Sequence, residues 1–212
     1  NAAVSSDGRY VAVANYLPGN LVIFDADLKL LKVIDGRNLK GDVGSRISAV
    51  YDAAPRKSFV VGLKDLPEIW EVSYDPQAKP FFDGYVHDYK MGEAIATPGF
   101  LNPRRTELEE PLDDFFFTQS YDNVVGASRE GRGRVVNLDV RRPIASLDLP
   151  GMPHLGSGIS WLRDGHRVVA STNLKDARVS VIDMQNWQTV ASIPTLGPGF
   201  FLRSHEKNPY AW

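Results

Sequence analysis

Cysteine is absent from the 212 residues. That excludes disulfides, thiolate metal sites, a cysteine nucleophile and c-type haem attachment within this stretch. No apolar run approaches the roughly eighteen residues of a membrane-spanning helix. An excess of one charge is lacking too: 24 Lys and Arg stand against 26 Asp and Glu, a formal net charge of −2. No basic field therefore argues for nucleic acid. Several motifs are missing as well. There is no Gly-x-Ser-x-Gly elbow, no P-loop and no His-Glu-x-x-His helix. Gly131 and Gly133 lie between strand-like runs and read as a hairpin, not a dinucleotide loop. No signal peptide opens the chain, which starts at Asn1 without an initiator Met, so targeting stays open.

What is there is a repeat. Ser6-Asp7-Gly8-Arg9 is a turn that leads into the apolar strand Tyr10 to Asn15. Pro18-Gly19 turns again, and Leu21 to Asp25 and Lys29 to Ile34 make two more strands. The same order returns at Asp164-Gly165, with strands at Arg167 to Thr172, Arg178 to Asp183 and Gln188 to Ile193. Between them lie two degenerate copies. One runs through Ile47 to Tyr51, Ser58 to Leu63 and Glu68 to Ser73. The other comprises Val124 to Ser128, Arg134 to Asp139 and Ile144 to Leu149. The strand-ending Asp139 and Asp183 lie 44 residues apart, the period of a four-stranded propeller blade. Strands rich in Val, Ile and aromatics, with no helical periodicity, predict an all-β fold. The expected architecture is a β-propeller of about four blades plus the first strand of a fifth, spanning 1–212. Four-bladed rings exist, so the count alone permits closure. The apolar stretch Phe200 to Arg203 and the strand-like end Tyr210-Ala211-Trp212 favour part of a larger ring.

One segment breaks the period. Residues 75–111 are expected to form a long insertion between blades, with a short helix over Asp88 to Ala96 and the paired Arg104 and Arg105. Long loops in compact domains are commonly functional. Four histidines could carry chemistry: His87, His154, His166 and His205. His154, within Gly151-Met152-Pro153-His154-Leu155-Gly156-Ser157-Gly158, is the sharpest candidate. It reads either as a turn histidine bonded to a carbonyl or as a general acid/base at a central pocket. In the stretch Leu196-Gly197-Pro198-Gly199-Phe200-Phe201, Gly197 and Gly199 allow close backbone approach and Phe200 offers a face for stacking on a flat ligand. Arg46, Arg104, Arg105 and Arg203 have the fork that suits carboxylates.

Pro153-His154-Leu155-Gly156-Ser157-Gly158 and Leu196 to Phe201 together resemble the haem d1 propeller family, the cytochrome cd-type nitrite reductases and their relatives. Tyr16-Leu17-Pro18, Ser45 to Val50 and Phe59 to Lys64 fall in the same order as in that family, so the resemblance covers nearly the whole chain. Val86-His87-Asp88-Tyr89, Arg104 to Glu109, Leu112 to Phe117 and Phe200 to Trp212 look most like its cytochrome c-fused dihydro-haem d1 dehydrogenase branch.

The resemblance implies an eight-bladed ring, haem d1 or its dihydro precursor at the centre, and a periplasmic location. It also implies haem c in an N-terminal domain outside these residues, and the proximal iron ligand outside them too. Implied partners are the tetrapyrrole, an electron-accepting c-type cytochrome and nitrite reductase, with no nucleic acid and no membrane span. The nitrite reductases place two distal histidines over the iron. His154 matches the second. The first falls in Leu112-Asp113-Asp114-Phe115, with Asp113 near its place. Loss of that imidazole argues against nitrite reduction, which remains the alternative, as does a non-catalytic haem d1 carrier. The expected reaction is oxidation of a propionate to an acrylate. His154 takes up a proton, Arg46, Arg104, Arg105 or Arg203 holds ring carboxylates, and Gly197, Gly199 and Phe200 lie against the ring.

Overall fold

The structure is a computed structural model and describes residues 1–83, 96–112 and 114–212. His87, the segment 86–89, most of the expected helix and Asp113 lie outside the described residues. The described residues form sixteen β-strands and two single 3-10 turns. The strands make four four-stranded antiparallel sheets, each a meander of consecutive strands. No helix among the described residues is long and apolar enough to cross a membrane. The chain divides into two compact units, Asn1–Pro111 and Leu112–Trp212.

In the first unit, β1 (Ala2–Val4), β2 (Tyr10–Asn15), β3 (Asn20–Asp25) and β4 (Leu30–Asp35) make one sheet. Its partner contains β5 (Ile47–Ala53), β6 (Ser58–Leu63), β7 (Glu68–Ser73) and β8 (Pro103–Glu107). Alternation along β2 and β3 buries Ala12, Ala14, Leu21 and Ile23 on one face. That face meets Ile47, Val50, Phe59, Val61 and Trp70 of the second sheet in a single core. Every residue of β6 is buried, which explains its unbroken Phe-Val-Val run, a central strand covered on both faces.

The second unit pairs the sheet of β9 (Asp114–Phe117), β10 (Asn123–Ala127), β11 (Arg132–Asn137) and β12 (Arg142–Asp148) with a last one. That last sheet contains β13 (Ile159–Arg163), β14 (His166–Thr172), β15 (Arg178–Asp183) and β16 (Thr189–Pro194). Val125, Ala127, Val135 and Leu147 pack on Leu155, Val169 and Ile182. The β13–β14 hairpin turns on Asp164 and Gly165, both at positive φ (51° and 82°). A two-residue turn of that kind matches the right-handed strand twist, which is why Asp-Gly stands there.

The repeat goes deeper than the turns. In three sheets the pairing of the last two strands slips at one site: Ile23/Phe24, Val135/Val136 and Val181/Ile182. In each sheet the sequence reading had found three strands of the four. The unread ones are β1, β8, β9 and β13. They carry three residues, an Arg-Arg-Thr-Glu run, Asp-Phe-Phe-Phe and a mostly exposed Ile-Ser-Trp-Leu-Arg, none with clear alternation around an apolar face.

Two expectations change. Residues 103–107 belong to the second sheet as β8, not to the insertion expected over 75–111. Pro103 opens that strand at a sheet edge, where its missing N–H costs no ladder bond. The insertion is pinched at its base, where Phe81 and Thr97 exchange backbone hydrogen bonds of 3.0 and 2.8 Å. At the other end, Phe200 to Arg203 is no strand. The terminal residues fold back, with Arg203 and Trp212 exchanging backbone hydrogen bonds of 2.8 and 3.0 Å.

Candidate functional site

The site gathers on the second unit, where β9, the 3-10 turn Leu155–Ser157 and the 196–203 segment meet. His154 caps that turn, and its backbone N–H donates to the Thr172 carbonyl of β14 (3.0 Å). This anchors the residue while its side chain stays about a quarter exposed (23%). Nδ1 lies 2.5 Å from the Phe200 carbonyl oxygen. A carbonyl only accepts, so Nδ1 carries the proton and the lone pair of the neutral ring sits on Nε2. The same carbonyl also accepts from the Ser157 and Thr172 hydroxyls, at 2.7 and 3.3 Å. Ser157 Oγ reaches the His154 carbonyl as well (3.0 Å). The ring orientation is therefore fixed from its backbone and from Nδ1. Nε2 faces Oδ2 of Asp114, 3.5 Å away.

Aromatic rings flank the imidazole. Phe200 and Phe201 stand edge-on to it, with ring centroids at 5.9 and 5.7 Å. Both are largely exposed, at 65% and 59%. Arg203 places its guanidinium 5.0 Å over the Phe201 ring. Its N–H groups reach the backbone carbonyls of Leu202 and Ser157 (3.0 and 3.4 Å). Gly199 donates its N–H to the Asn173 carbonyl (3.0 Å) and lies close against Thr172. Gly197 has open space where a Cβ would point. An apolar cavity of about 540 Å³ opens beneath, lined by Gly197, Gly199, Phe201, Trp161 and Trp212. Of the expected residues, His154, Gly199, Phe200 and Arg203 come together, and Gly197 lines the neighbouring cavity.

The other expected residues lie in the first unit. Arg46 grips Asp65 with two side-chain nitrogens, Nε at 2.8 Å, and its backbone N–H adds a third bond at 3.0 Å. Its remaining terminal nitrogen reaches the Tyr16 hydroxyl (2.7 Å), with the guanidinium 4.8 Å over that ring. Hydrogen bonds from Arg46 hold the Asp65 carboxyl down at about 2, and Asp65 in turn raises Arg46. This cluster borders a shallow pocket of about 330 Å³ between the Pro18-Gly19, Gly36 and Ser45 turns. A Cβ at Gly19 would stand 2.7 Å from the Ser45 carbonyl oxygen, so the turns meet only without it.

Arg104 and Arg105 point to opposite faces of β8 and both find protein carboxylates. Arg104 reaches Glu71 (2.9 Å), which Arg56 also holds (2.7 Å). Arg105 reaches Glu68 (2.7 Å) and lies 4.5 Å over the buried Trp70 ring. Of the remaining histidines, His166 sits at its hairpin with Nδ1 2.9 Å from Gln185 Oε1, as expected of a surface residue.

Asp114 and Ser157 were missed as site residues. The pair Asp113-Asp114 signalled an acidic residue at this place in the chain without choosing between the two. Family pattern matching had favoured Asp113. Among the described residues, no group of three or more His, Cys, Asp or Glu could hold a metal ion. A flat macrocycle with acidic edges fits what is there: two exposed aromatic faces, a cation and an imidazole on one border.

The family model for the cytochrome D1 heme domain matches residues 1–212. The chain belongs to this family. Within it, the chain is 48% identical over 214 residues to the dihydro-heme d1 dehydrogenase of Pseudomonas aeruginosa, covering all of this chain and 39% of that protein. It is 41% identical over 224 residues to Protein NirF of the same organism, covering 99% of this chain and 51% of that one. Among solved structures, the dihydro-heme d1 dehydrogenase NirN in complex with DHE superposes with a TM-score of 0.86 at 47% identity. That match covers the whole chain and 41% of the solved one. Apo AztD from Citrobacter koseri shares the fold, with a TM-score of 0.57 at 11% identity over 94% of this chain. The chain thus spans between about two-fifths and half the length of these curated relatives.

Proposed function

We propose that this cytochrome D1 heme domain chain is part of a dihydro-haem d1 dehydrogenase and that the His154 site works on a tetrapyrrole side chain. The observation that carries the reading is the state of His154: Nδ1 is tied to a carbonyl, Nε2 keeps its lone pair, and exposed aromatic rings border it. The identity to a dihydro-heme d1 dehydrogenase and the superposition on NirN support it.

The reaction is a dehydrogenation of a CH2–CH2 pair to CH=CH. Two C–H bonds break and one π bond forms, so two protons and two electrons leave. His154 Nε2 takes one proton and the other reaches solvent; a c-type haem outside these residues would supply the one-electron acceptor for the two electrons. Phe200 and Phe201 offer apolar surface to the substrate ring. Arg203 meets no protein carboxylate among the described residues, so its charge remains available to a ring carboxylate. Arg46 already holds Asp65, and Arg104 and Arg105 already hold Glu71 and Glu68. Arg203 is therefore the favoured carboxylate ligand of the four. In the same reading the sheets are blades of an eight-bladed ring, the haem c lies in an N-terminal domain, and the protein works in the periplasm.

The test is anaerobic turnover of the dihydro tetrapyrrole by the full-length protein, followed by its absorption change. His154→Ala should bind the substrate within about threefold of the parent and turn it over ~10²–10⁴-fold more slowly, the usual contribution of a general base. Tight binding without turnover by the parent would favour a carrier. Nitrite reduction by the parent would favour the reductase.

A further inference from the structure

Asp114 projects from β9 toward Nε2 of His154, the nitrogen that the Phe200 carbonyl leaves unprotonated. Its Oδ1 accepts from the Phe115 backbone N–H (2.9 Å), which fixes the carboxylate plane. Its Oδ2 then stands 3.5 Å from Nε2. That gap is longer than a hydrogen bond. In the neutral ring, two acceptors face one another across it. When Nε2 takes a proton, the same gap separates a donor from a carboxylate, and closing it yields a charge-assisted hydrogen bond of roughly 2.7–2.9 Å. The contact thus orients Nε2 and gives its N–H, once formed, an acceptor.

What admits the carboxylate is Gly156. A Cβ built on Gly156 would collide with Oδ1, Oδ2 and Cγ of Asp114. The glycine is not there for a left-handed backbone, since no positive φ is found at 156. It is there as an empty slot on the 3-10 turn, two residues after His154.

We propose that Asp114 is the positioning residue for His154 and that Gly156 is the slot through which it reaches the ring. The proposal rests on the reading of His154 as the proton acceptor. It makes a specific claim about coupling: an added methyl at 156 acts by displacing Asp114, so it does nothing further once Asp114 is gone.

The experiment uses the full-length protein and four variants: Asp114→Ala, Asp114→Asn, Gly156→Ala and the Asp114→Ala/Gly156→Ala double. Each single variant should lower kcat by about 10–100-fold with KM within roughly twofold, the scale of a misplaced catalytic group. The double variant should be no slower than the slower single one, the signature of two residues acting through one contact. A second readout is independent of turnover: long-range ¹H–¹⁵N correlation of ¹⁵N-histidine-labelled protein. Asp114→Ala and Gly156→Ala should move the His154 Nε2 resonance in the same direction and leave those of His166 and His205 in place. Multiplicative losses in the double variant, or an unmoved His154 resonance, would overturn the proposal. If the alanine variants do not fold, Asp114→Asn carries the test, because it keeps the volume and removes the charge. A parent that turns over no dihydro tetrapyrrole, with the resonance shifts intact, would sink the dehydrogenase reading and leave the positioning contact standing.

Discussion

The residues singled out in the two units use their polar groups in opposite ways. In the first, the arginines close on carboxylates of their own unit: Arg46 on Asp65, Arg56 and Arg104 on Glu71, Arg105 on Glu68. In the second, the imidazole of His154 is anchored at one nitrogen and aims the other at a carboxylate just beyond bonding distance, between exposed phenylalanines. A matched pair has already used its charge on the fold. A group held on one side and left unfinished on the other has chemistry to offer. The fork that makes an arginine a good carboxylate ligand makes it equally good at finding a carboxylate in its own chain. Residue type alone cannot separate those outcomes.

The contrast is sharpest if one variant from each unit is read in both turnover and stability. His154→Ala has the largest expected effect, ~10²–10⁴-fold in turnover, with less than about 1 kcal/mol of stability lost at a part-exposed position. Glu71→Ala should do the reverse. It removes the carboxylate shared by Arg56 and Arg104, whose side chains are only 16% and 27% exposed, and should cost about 2–3 kcal/mol, below the range for fully buried pairs. Urea denaturation and the anaerobic assay on both variants check this. A Glu71→Ala protein of parental stability but impaired turnover would erase the distinction between the units.

How far the sequence foretold this division depends on the residue. Three strands of each sheet were legible, led by the inner pairs β2 and β3, β6 and β7, β10 and β11, and β14 and β15, which carry apolar alternation or continuous apolar runs. The fourth strands were not. β8 is Pro-Arg-Arg-Thr-Glu, and its place in the sheet comes from pairing with β7, a long-range contact that no local pattern encodes. His154 was legible through its Gly- and Pro-rich surroundings, and so was the 197–200 turn. Of the two alternatives weighed for that histidine, the carbonyl-bonded turn nitrogen is seen in its Nδ1, and its Nε2, turned toward Asp114, is the atom on which the proposed acid/base role rests. Asp114 was hidden by its neighbour. The direction of Asp114 depends on the pleat of β9, and that is set by pairing with β10.

A smaller effect tests whether Arg46 belongs wholly to its own unit. Arg46→Ala and Asp65→Ala should then weaken tetrapyrrole binding equally little, within about twofold, and each should change stability by no more than about 1 kcal/mol for a surface pair. The Asp65 carboxyl is depressed to about 2 from an ordinary 3.8. Its contribution is present above the ordinary value and lost as pH falls through about 2. Asp65→Asn should accordingly flatten the acid limb of the stability curve between those values. Binding that fails in Arg46→Ala and survives in Asp65→Ala would return Arg46 to the tetrapyrrole.

The smallest expected effect lies at the alkaline end of the first unit. The Tyr74 ring is buried against Phe59, with centroids 5.0 Å apart. Its hydroxyl donates to Asp52 Oδ1 (2.7 Å) and lies 3.1 Å from Ser6 Oγ. Burial pushes the phenol up to about 12, and the bond to Asp52 adds to the shift. The same burial raises Asp52. A phenol whose value is higher in the folded state stabilises the fold fully below its unfolded value, near 10. That contribution fades as pH rises through about 12, where ionisation would set a phenolate beside the Asp52 carboxylate. Tyr74→Phe removes the titrating group and keeps the ring in the core. The parent should therefore lose stability more steeply than the variant between pH 10 and 12, with the two curves parallel from pH 7 to 9. Turnover at neutral pH should be unchanged, because Tyr74 belongs to the unit whose polar groups are already matched. Parallel curves through pH 12 would mean that the hydroxyl is far more solvated than its bonds to Asp52 and Ser6 imply.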